Sequence, residues 1–307
     1  MKIATVAGAG GATRAGVVDG ATFRPFPDGT TVLELLQAGT LHTTPAGAPE
    51  PLAGLRLLPP VQAPTVRDFV TFEQHVAAMA GTVPDAWYDA PTFYFTNPYA
   101  LIGAHDDVAV PPGCAKLDFE LEVAAVIGRA GADLTADAAR DHIAGYTIFN
   151  DWSARDLQRR EMQVNLGPCK GKDFATTLGP VLVTADELEP HRDADGFLDL
   201  QLAVAVNGTE IGRDRLAHMG WPFEELVAHA SRGTEVRPGD VLGSGTCGNG
   251  GCLAELWATA EQPPPALLPG DVVTMTVEGI GTIRNTVVAG RDPVPLPRAR
   301  ASTGSAP

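Results

Sequence analysis

The sequence predicts an α+β protein that is mostly β. Three observations carry this. Short runs with apolar residues at alternate positions end in turn signals, as in Leu198–Val206 followed by Asn207-Gly208, and a period of two marks a half-buried strand. Two copies of Pro-Gly-Asp-Val, at 238–241 and 269–272, each set a tight turn before an apolar run. Helix candidates are scattered without the regular alternation of a doubly wound sheet or a parallel barrel. No Gly-x-Gly-x-x-Gly follows a strand; the Gly-rich residues 8–12 lack that spacing and read as a loop.

Residues 1–60 read as a small N-terminal α/β domain. It has strands at Lys2–Ala7 and Arg14–Val18, a turn at Asp19-Gly20 and a helix over Thr31–Gln37. Thr43–Pro51 is rich in Pro, Ala and Gly, which is linker composition. The main domain spans 61–296. It opens on a helix predicted over Thr65–Ala80, with Thr65 as cap, Asp68 three residues on, and an apolar stripe of Phe69, Phe72, Val76 and Met79. Strands follow over Thr92–Ile102 and Val108–Val110. Residues 117–128 begin with alternation and end as a continuous apolar run, so that strand is buried at one end. Thr135–Ile143 and Ser153–Met162 are helices, the latter with Ser153 as cap. Tyr146–Phe149, Pro180–Thr184 and Leu198–Val206 are strands, and Asn207-Gly208 suits a type I′ hairpin turn. Pro222–Ala230 is a helix with Pro at its first position. Residues 297–307 read as a disordered tail.

Composition excludes several classes of function. Apolar residues are 44% of the 307, enough for a sizeable core and too many for a disordered chain. Lys plus Arg is 22 and Asp plus Glu is 37, a net charge of −15. Such a surface repels phosphate backbones and anionic lipid, so neither nucleic acid nor membrane is an expected partner. Four cysteines are too few for a disulfide scaffold. No cationic region and apolar run open the chain, and no stretch reaches the length of a membrane span. The expectation is a soluble cytoplasmic protein.

Several residues can carry chemistry. Glu120 and Glu122 share one face of an otherwise apolar strand. Two adjacent carboxylates there either face solvent, as Asp118 on the same face suggests, or hold a cation between them. Asp151 ends a strand, where Asp is often a turn or cap residue. On the helix that follows, Arg155, Gln158, Arg159 and Met162 share a face, and Arg155 with Gln158 makes a donor pair suited to a carboxylate or oxyanion. Lys170 and Lys172, two of only four lysines, lie in the stretch GPCKGKDF. His75 follows Asp68 by seven residues on the predicted helix. Cys247 and Cys252 have no further soft ligands at motif spacing and read as small residues in a tight Gly-rich loop.

Together these segments resemble the fumarylacetoacetate hydrolase family. The matching stretches are RDFVTFEQH (67–75), FYFTNPYALIG (93–103), LDFELEVAAVIG (117–128), GYTIFNDWSARDLQ (145–158), KGKDFATTLGP (170–180), and SGTCGNG followed by LAEL within 244–256. They cover about residues 60–290, with an N-terminal region like that of two-domain members. The resemblance implies a mixed β-roll catalytic domain and a homodimer. It implies a divalent ion, Mg²⁺ or Mn²⁺ with Ca²⁺ also suited, held by Glu120, Glu122, Asp151 and, in some members, Asp68. It casts His75 as activator of a water, Glu255 as the carboxylate that orients it, and Arg155, Gln158 and Lys172 as oxyanion donors. Thr246, Arg159 and Trp152 would meet the substrate. The implied activity is metal-dependent hydrolysis of a C–C bond in a 2-oxo or 1,3-diketo acid of the acylpyruvate or fumarylpyruvate type, through an enolate at the metal. Decarboxylation of the oxaloacetate type, or isomerisation or hydration of a 2-oxo acid of aromatic catabolism, could use the same site. Ala77–Pro84 carries no basic residue, unlike the eukaryotic hydrolases of tyrosine breakdown. Trp87 and Tyr88 follow instead, in a stretch that could cover the site.

Overall fold

A computed structural model describes residues 1–8 and 11–300. The loop expected at 8–12 and the tail expected at 297–307 therefore lie partly outside the described residues.

The chain is mostly β, as predicted. Its central sheet runs, by strand position, 50–51, 22–25, 13–19, 2–7, 176–184, 143–151, 121–127, 241–243, 66–69 and 93–96. A second, five-stranded sheet orders Thr209–Arg215, Gln201–Val206, Val272–Val277, Gly281–Val288 and Val108–Ala109. The strand Leu121–Ile127 lies mid-sheet, paired with Ile143–Asp151 on one side and Val241–Gly243 on the other.

That strand shows why its sequence stops alternating. Leu121, Val123, Ala125 and Ile127 enter one apolar core, shared with Leu202, Val204, Met275 and Ile283 of the second sheet. Ala124 and Val126 enter another, shared with Ile3, Phe26, Val32 and Leu36 of the N-terminal region. Both faces are covered, so every position except Glu122 is apolar. The N-terminal strands also extend the central sheet, with Lys2 opposite Val183 and Ile3 opposite Leu182.

Local signals placed several elements correctly. Thr31 caps the helix Val32–Ala38 in a capping box with Glu34. Asn207 and Gly208 both have positive φ, 53° and 81°, as a type I′ turn requires. Other expectations are corrected. The helix predicted over 65–80 is a strand, Val66–Phe69, and then a helix, Glu73–Ala80. Val66–Phe69 is sandwiched between Val241–Gly243 and Phe93–Thr96, and this pairing overrides the helical spacing. Asp68 is therefore a strand residue and Thr65 caps nothing there. The strand predicted over 92–102 is split by the 3₁₀ turn Pro98–Ala100. Ser153 does not cap its helix, which starts at Arg155; its hydroxyl donates to the Asp151 carbonyl. Trp87 is buried against Trp221 and donates to the Val70 carbonyl, which anchors the segment expected to cover the site. Among the described residues no helix is long and apolar enough to cross a membrane.

Candidate metal centre and catalytic dyad

Four carboxylates from three strands and one bridging residue meet at one end of the central sheet. Asp68, Glu120, Glu122 and Asp151 are all buried, and one oxygen from each lies within 4.8 Å of the others. Glycine makes the meeting possible. Gly243 stands between the strands of Asp68 and Glu122, opposite Asp68 itself. A Cβ there would come within 2.6 Å of Asp68 Oδ1 and 3.1 Å of Glu122 Oε2. The two side chains close over a position that has none.

Asp118, which favoured the solvent-face alternative for the two glutamates, is wholly buried. Arg155 folds over it, giving Nε to Asp118 Oδ2 at 2.8 Å and Nη2 to Glu120 Oε1 at 2.6 Å. Lys172 donates to Glu120 and, at 2.7 Å, to Asp151 Oδ2. Tyr94 donates to the same Asp151 oxygen at 2.5 Å. The N–H of Gly245 reaches Glu122 Oε2 at 3.0 Å, and the Thr246 hydroxyl lies 3.5 Å from Oε1.

The charges do not balance evenly. Burial alone would raise Glu120, but Arg155 and Lys172 hold it well below the usual carboxylate range. On the other side burial dominates. It lifts Asp151 to about 6, despite Lys172. Burial and the repulsion of neighbouring carboxylates, Asp151 beside Asp68 and Asp68 beside Glu122, push Asp68 and Glu122 well above their ordinary values. Asp68 Oδ1 and Asp151 Oδ1 are buried without a hydrogen-bond partner. Orphaned buried oxygens are costly and need a partner. An all-oxygen, carboxylate-rich set with two free oxygens fits a hard divalent cation of the Mg²⁺ or Mn²⁺ kind.

His75 adjoins this cluster. It is buried on the helix Glu73–Ala80, with Nδ1 at 3.8 Å from Glu255 Oε2. Glu255 lies in the first turn of Leu253–Thr259, where its Oε1 accepts the Gly250 N–H. The structure thus gathers Asp68, Glu120, Glu122, Asp151, Arg155, Lys172, Thr246, His75 and Glu255. Arg155 and Lys172 are committed to carboxylates rather than pointed at open space. Gln158 joins through its Oε1, which accepts from Arg155 at 3.1 Å. Arg159 stands exposed. Trp152, expected to meet the substrate, is fully buried, its indole N–H donating to Thr177.

Sequence reasoning missed Tyr94, Asp118 as an anchor, and Gly243. Tyr94 lies in a segment singled out for its motif, and its strand pairs with that of Asp68. Nothing local marks Gly243, because its role exists only once two distant strands flank it.

Several known proteins are similar to this chain. The family model described as Fumarylacetoacetate (FAA) hydrolase C-terminal matches residues 65–288. Protein Rv2993c of Mycobacterium tuberculosis is 34% identical over 263 residues, which are 85% of this chain and 89% of that protein. The human mitochondrial oxaloacetate tautomerase FAHD2A is 35% identical over 192 residues, 62% of this chain. The match spans only 56% of that tautomerase's length. Among solved structures, a fumarylacetoacetate hydrolase from Exiguobacterium antarcticum superposes with a TM-score of 0.76 at 27% identity, covering 94% of this chain and 99% of that one. A 5-carboxymethyl-2-hydroxymuconate delta-isomerase from Mycobacterium smegmatis gives 0.72 at 29% identity, covering 95% and 100%. The chain belongs to the fumarylacetoacetate hydrolase family.

Proposed function

We propose that this protein is a divalent-metal-dependent hydrolase that cleaves a C–C bond in a 2-oxo or 1,3-diketo acid of the acylpyruvate type. The observation that carries the reading is the His75–Glu255 pair set directly against the carboxylate cluster. A divalent cation bound by Asp68, Glu120, Glu122 and Asp151 supplies a Lewis acid for the negative charge that builds on the substrate's oxygens.

The chain's own residues do the rest. Lys172 and Arg155 keep Glu120 ionised and fix its orientation. Burial, with Asp151 beside it, holds the Tyr94 hydroxyl protonated, so it remains a donor to Asp151. Glu255 stands at Nδ1 of His75, which leaves the far ring nitrogen to accept a proton from water as general base. Thr246, whose hydroxyl lies beside Glu122, is placed to meet the substrate. The substrate is a small 2-oxo acid, and the protein acts as a homodimer in the cytoplasm.

A second reading is isomerisation or tautomerisation of a 2-oxo acid. It is supported by the named activities of the Mycobacterium smegmatis isomerase and the human oxaloacetate tautomerase. There the same base would move a proton between carbon and solvent, with no water added.

The test is pyruvate release from acetylpyruvate, fumarylpyruvate and oxaloacetate, each with Mg²⁺ or Mn²⁺ and again with excess chelator. Metal-dependent pyruvate from an acylpyruvate supports hydrolysis, and pyruvate from oxaloacetate alone supports decarboxylation. No pyruvate, with a change in enol absorbance, moves the assignment to the second reading. His75→Ala is expected to lose cleavage by at least about 100-fold, the low end of general-base catalysis, while calorimetry shows cation binding retained. Full cleavage by that variant would remove the dyad from the mechanism.

A further inference from the structure

A glycine-rich loop touches the neighbourhood of both members of the dyad. Gly248 packs on Gln74, the residue before His75: a Cβ on Gly248 would come within 2.9 Å of Gln74 Cβ. Two residues on, the N–H of Gly250 reaches Glu255 Oε1 at 3.2 Å, while Oε2 of the same carboxylate lies 3.8 Å from His75 Nδ1. A base is oriented by a third group beside it. Here that group is Glu255, and among the described residues the one hydrogen bond to its side chain comes from this loop. Whatever fixes the loop therefore fixes the dyad.

The loop is tied to the second sheet. Asp214, buried in the strand Thr209–Arg215, accepts the Asn249 side-chain amide on Oδ1 at 3.2 Å. The same oxygen accepts the Arg215 N–H at 2.8 Å and lies 2.6 Å from His218 Nδ1. Gly248 leaves room for this carboxylate, since a Cβ there would come within 3.2 Å of Asp214 Oδ2. Asn249 has a φ of 55°, in the left-handed region where Asn is enriched. Its carbonyl accepts the Arg213 N–H at 3.3 Å. That carbonyl and the Gly250 N–H belong to one planar peptide unit. The strand thus holds one end of the peptide whose other end meets Glu255.

We propose that Asp214 and Asn249 are positioning residues for the dyad: they fix the Asn249–Gly250 peptide so that its N–H aims Glu255 at His75. The inference rests on the reading of His75 and Glu255 given above. Neither Asp214 nor Asn249 belongs to the carboxylate cluster, so their variants are expected to bind the divalent cation as the wild type does.

The test reads the His75 ring nitrogens by NMR, in protein with isotope-labelled histidine and saturating Mg²⁺, the signals being assigned by their loss in His75→Ala. Asn249→Gly tolerates the positive φ and removes only the side-chain tie. It is expected to move the His75 signals in the direction in which Glu255→Gln moves them. In the Glu255→Gln background the same substitution is expected to add nothing, because both act through one carboxylate. Asp214→Ala is expected to repeat the shift, and Asp214→Asn, which keeps an oxygen acceptor, to leave the signals at their wild-type positions. Signals unmoved by Asn249→Gly, or a shift that persists undiminished in the Glu255→Gln background, overturn the proposal. So does a loss of Mg²⁺ affinity in Asn249→Gly, measured by calorimetry, which would assign the loop to the cation site instead. Signals unmoved by Glu255→Gln itself would sink the dyad, and the positioning with it.

Discussion

Three buried aspartates meet opposite fates. Asp118 accepts four donors: Arg155 Nε and the backbone N–H groups of Phe119, Leu253 and Ala254. Both its oxygens are used, and it ties the helix of Arg155 to the start of the helix that carries Glu255. Asp68 and Asp151 each keep one buried oxygen with no partner. The first carboxylate is saturated by the protein and acts as an anchor. The others each keep an unsaturated oxygen, and an oxygen left so is available to a cation. What separates structure from function here is how completely the fold satisfies each carboxylate, since residue type and burial are the same.

The comparison breaks most severely at the anchor. Asp118→Ala leaves Arg155 buried with one partner fewer and strips the helix start at Leu253 of its acceptor. It is expected to lower unfolding free energy by about 3–5 kcal/mol in denaturant titration. A loss under about 1 kcal/mol would mean that Asp118 anchors nothing.

On the unsaturated side the expected change is in binding, with folding spared. Glu122→Gln is expected to weaken Mg²⁺ or Mn²⁺ binding by about 100-fold or more in calorimetry, the upper end of what even an outer partner costs. The melting temperature of the cation-free protein is expected to hold or rise, since a buried repulsion is removed. Unchanged affinity would withdraw Glu122 from the ligand set.

Acidity sharpens the contrast further. In the cation-free fold, burial raises Asp151 to about 6, and Asp68 and Glu122 also lie above their ordinary values. These groups hold protons that a cation must displace. Cation affinity is therefore expected to climb with pH through about 6, by up to about tenfold per unit for each proton released. Their contribution to cation-free stability runs the other way: present at acid pH, lost as pH rises through the raised values. Affinity flat between acid and neutral pH would contradict the shifts.

The smallest effect is expected far from both. Thr31→Ala removes the capping box of the helix Val32–Ala38. It is expected to cost about 1 kcal/mol in thermal or chemical unfolding, with cation affinity untouched. A change in affinity would tie the N-terminal region to the site.

Much of this was legible in the chain. The helix near Thr31, the Asn207-Gly208 turn and the strand beginning near Leu121 are written in adjacent residues. So was the pairing of Glu120 with Glu122, because a period of two places them together whatever lies around them. The stretch around Asp68 was misread because Phe69, Phe72, Val76 and Met79 fit a helix stripe. Yet Phe69 belongs to a strand, and Met79 is 45% exposed. Local spacing could not reveal the two strands that pair with Val66–Phe69, which come from about 25 and 175 residues away in the chain.

The sequence by itself determined the mostly β class, the main strands and the donor types at the site, because these depend on periodicity and side-chain chemistry within short windows. Only the tertiary structure decided whether a given carboxylate is free. Asp118 and Glu122 lie on the same alternating run, and no local signal separates them. Arg155 and the last helix close on one, while Gly243 opens room beside the other. The physical reason is that a buried charge takes its character from the partners brought against it, and those partners come from distant parts of the chain.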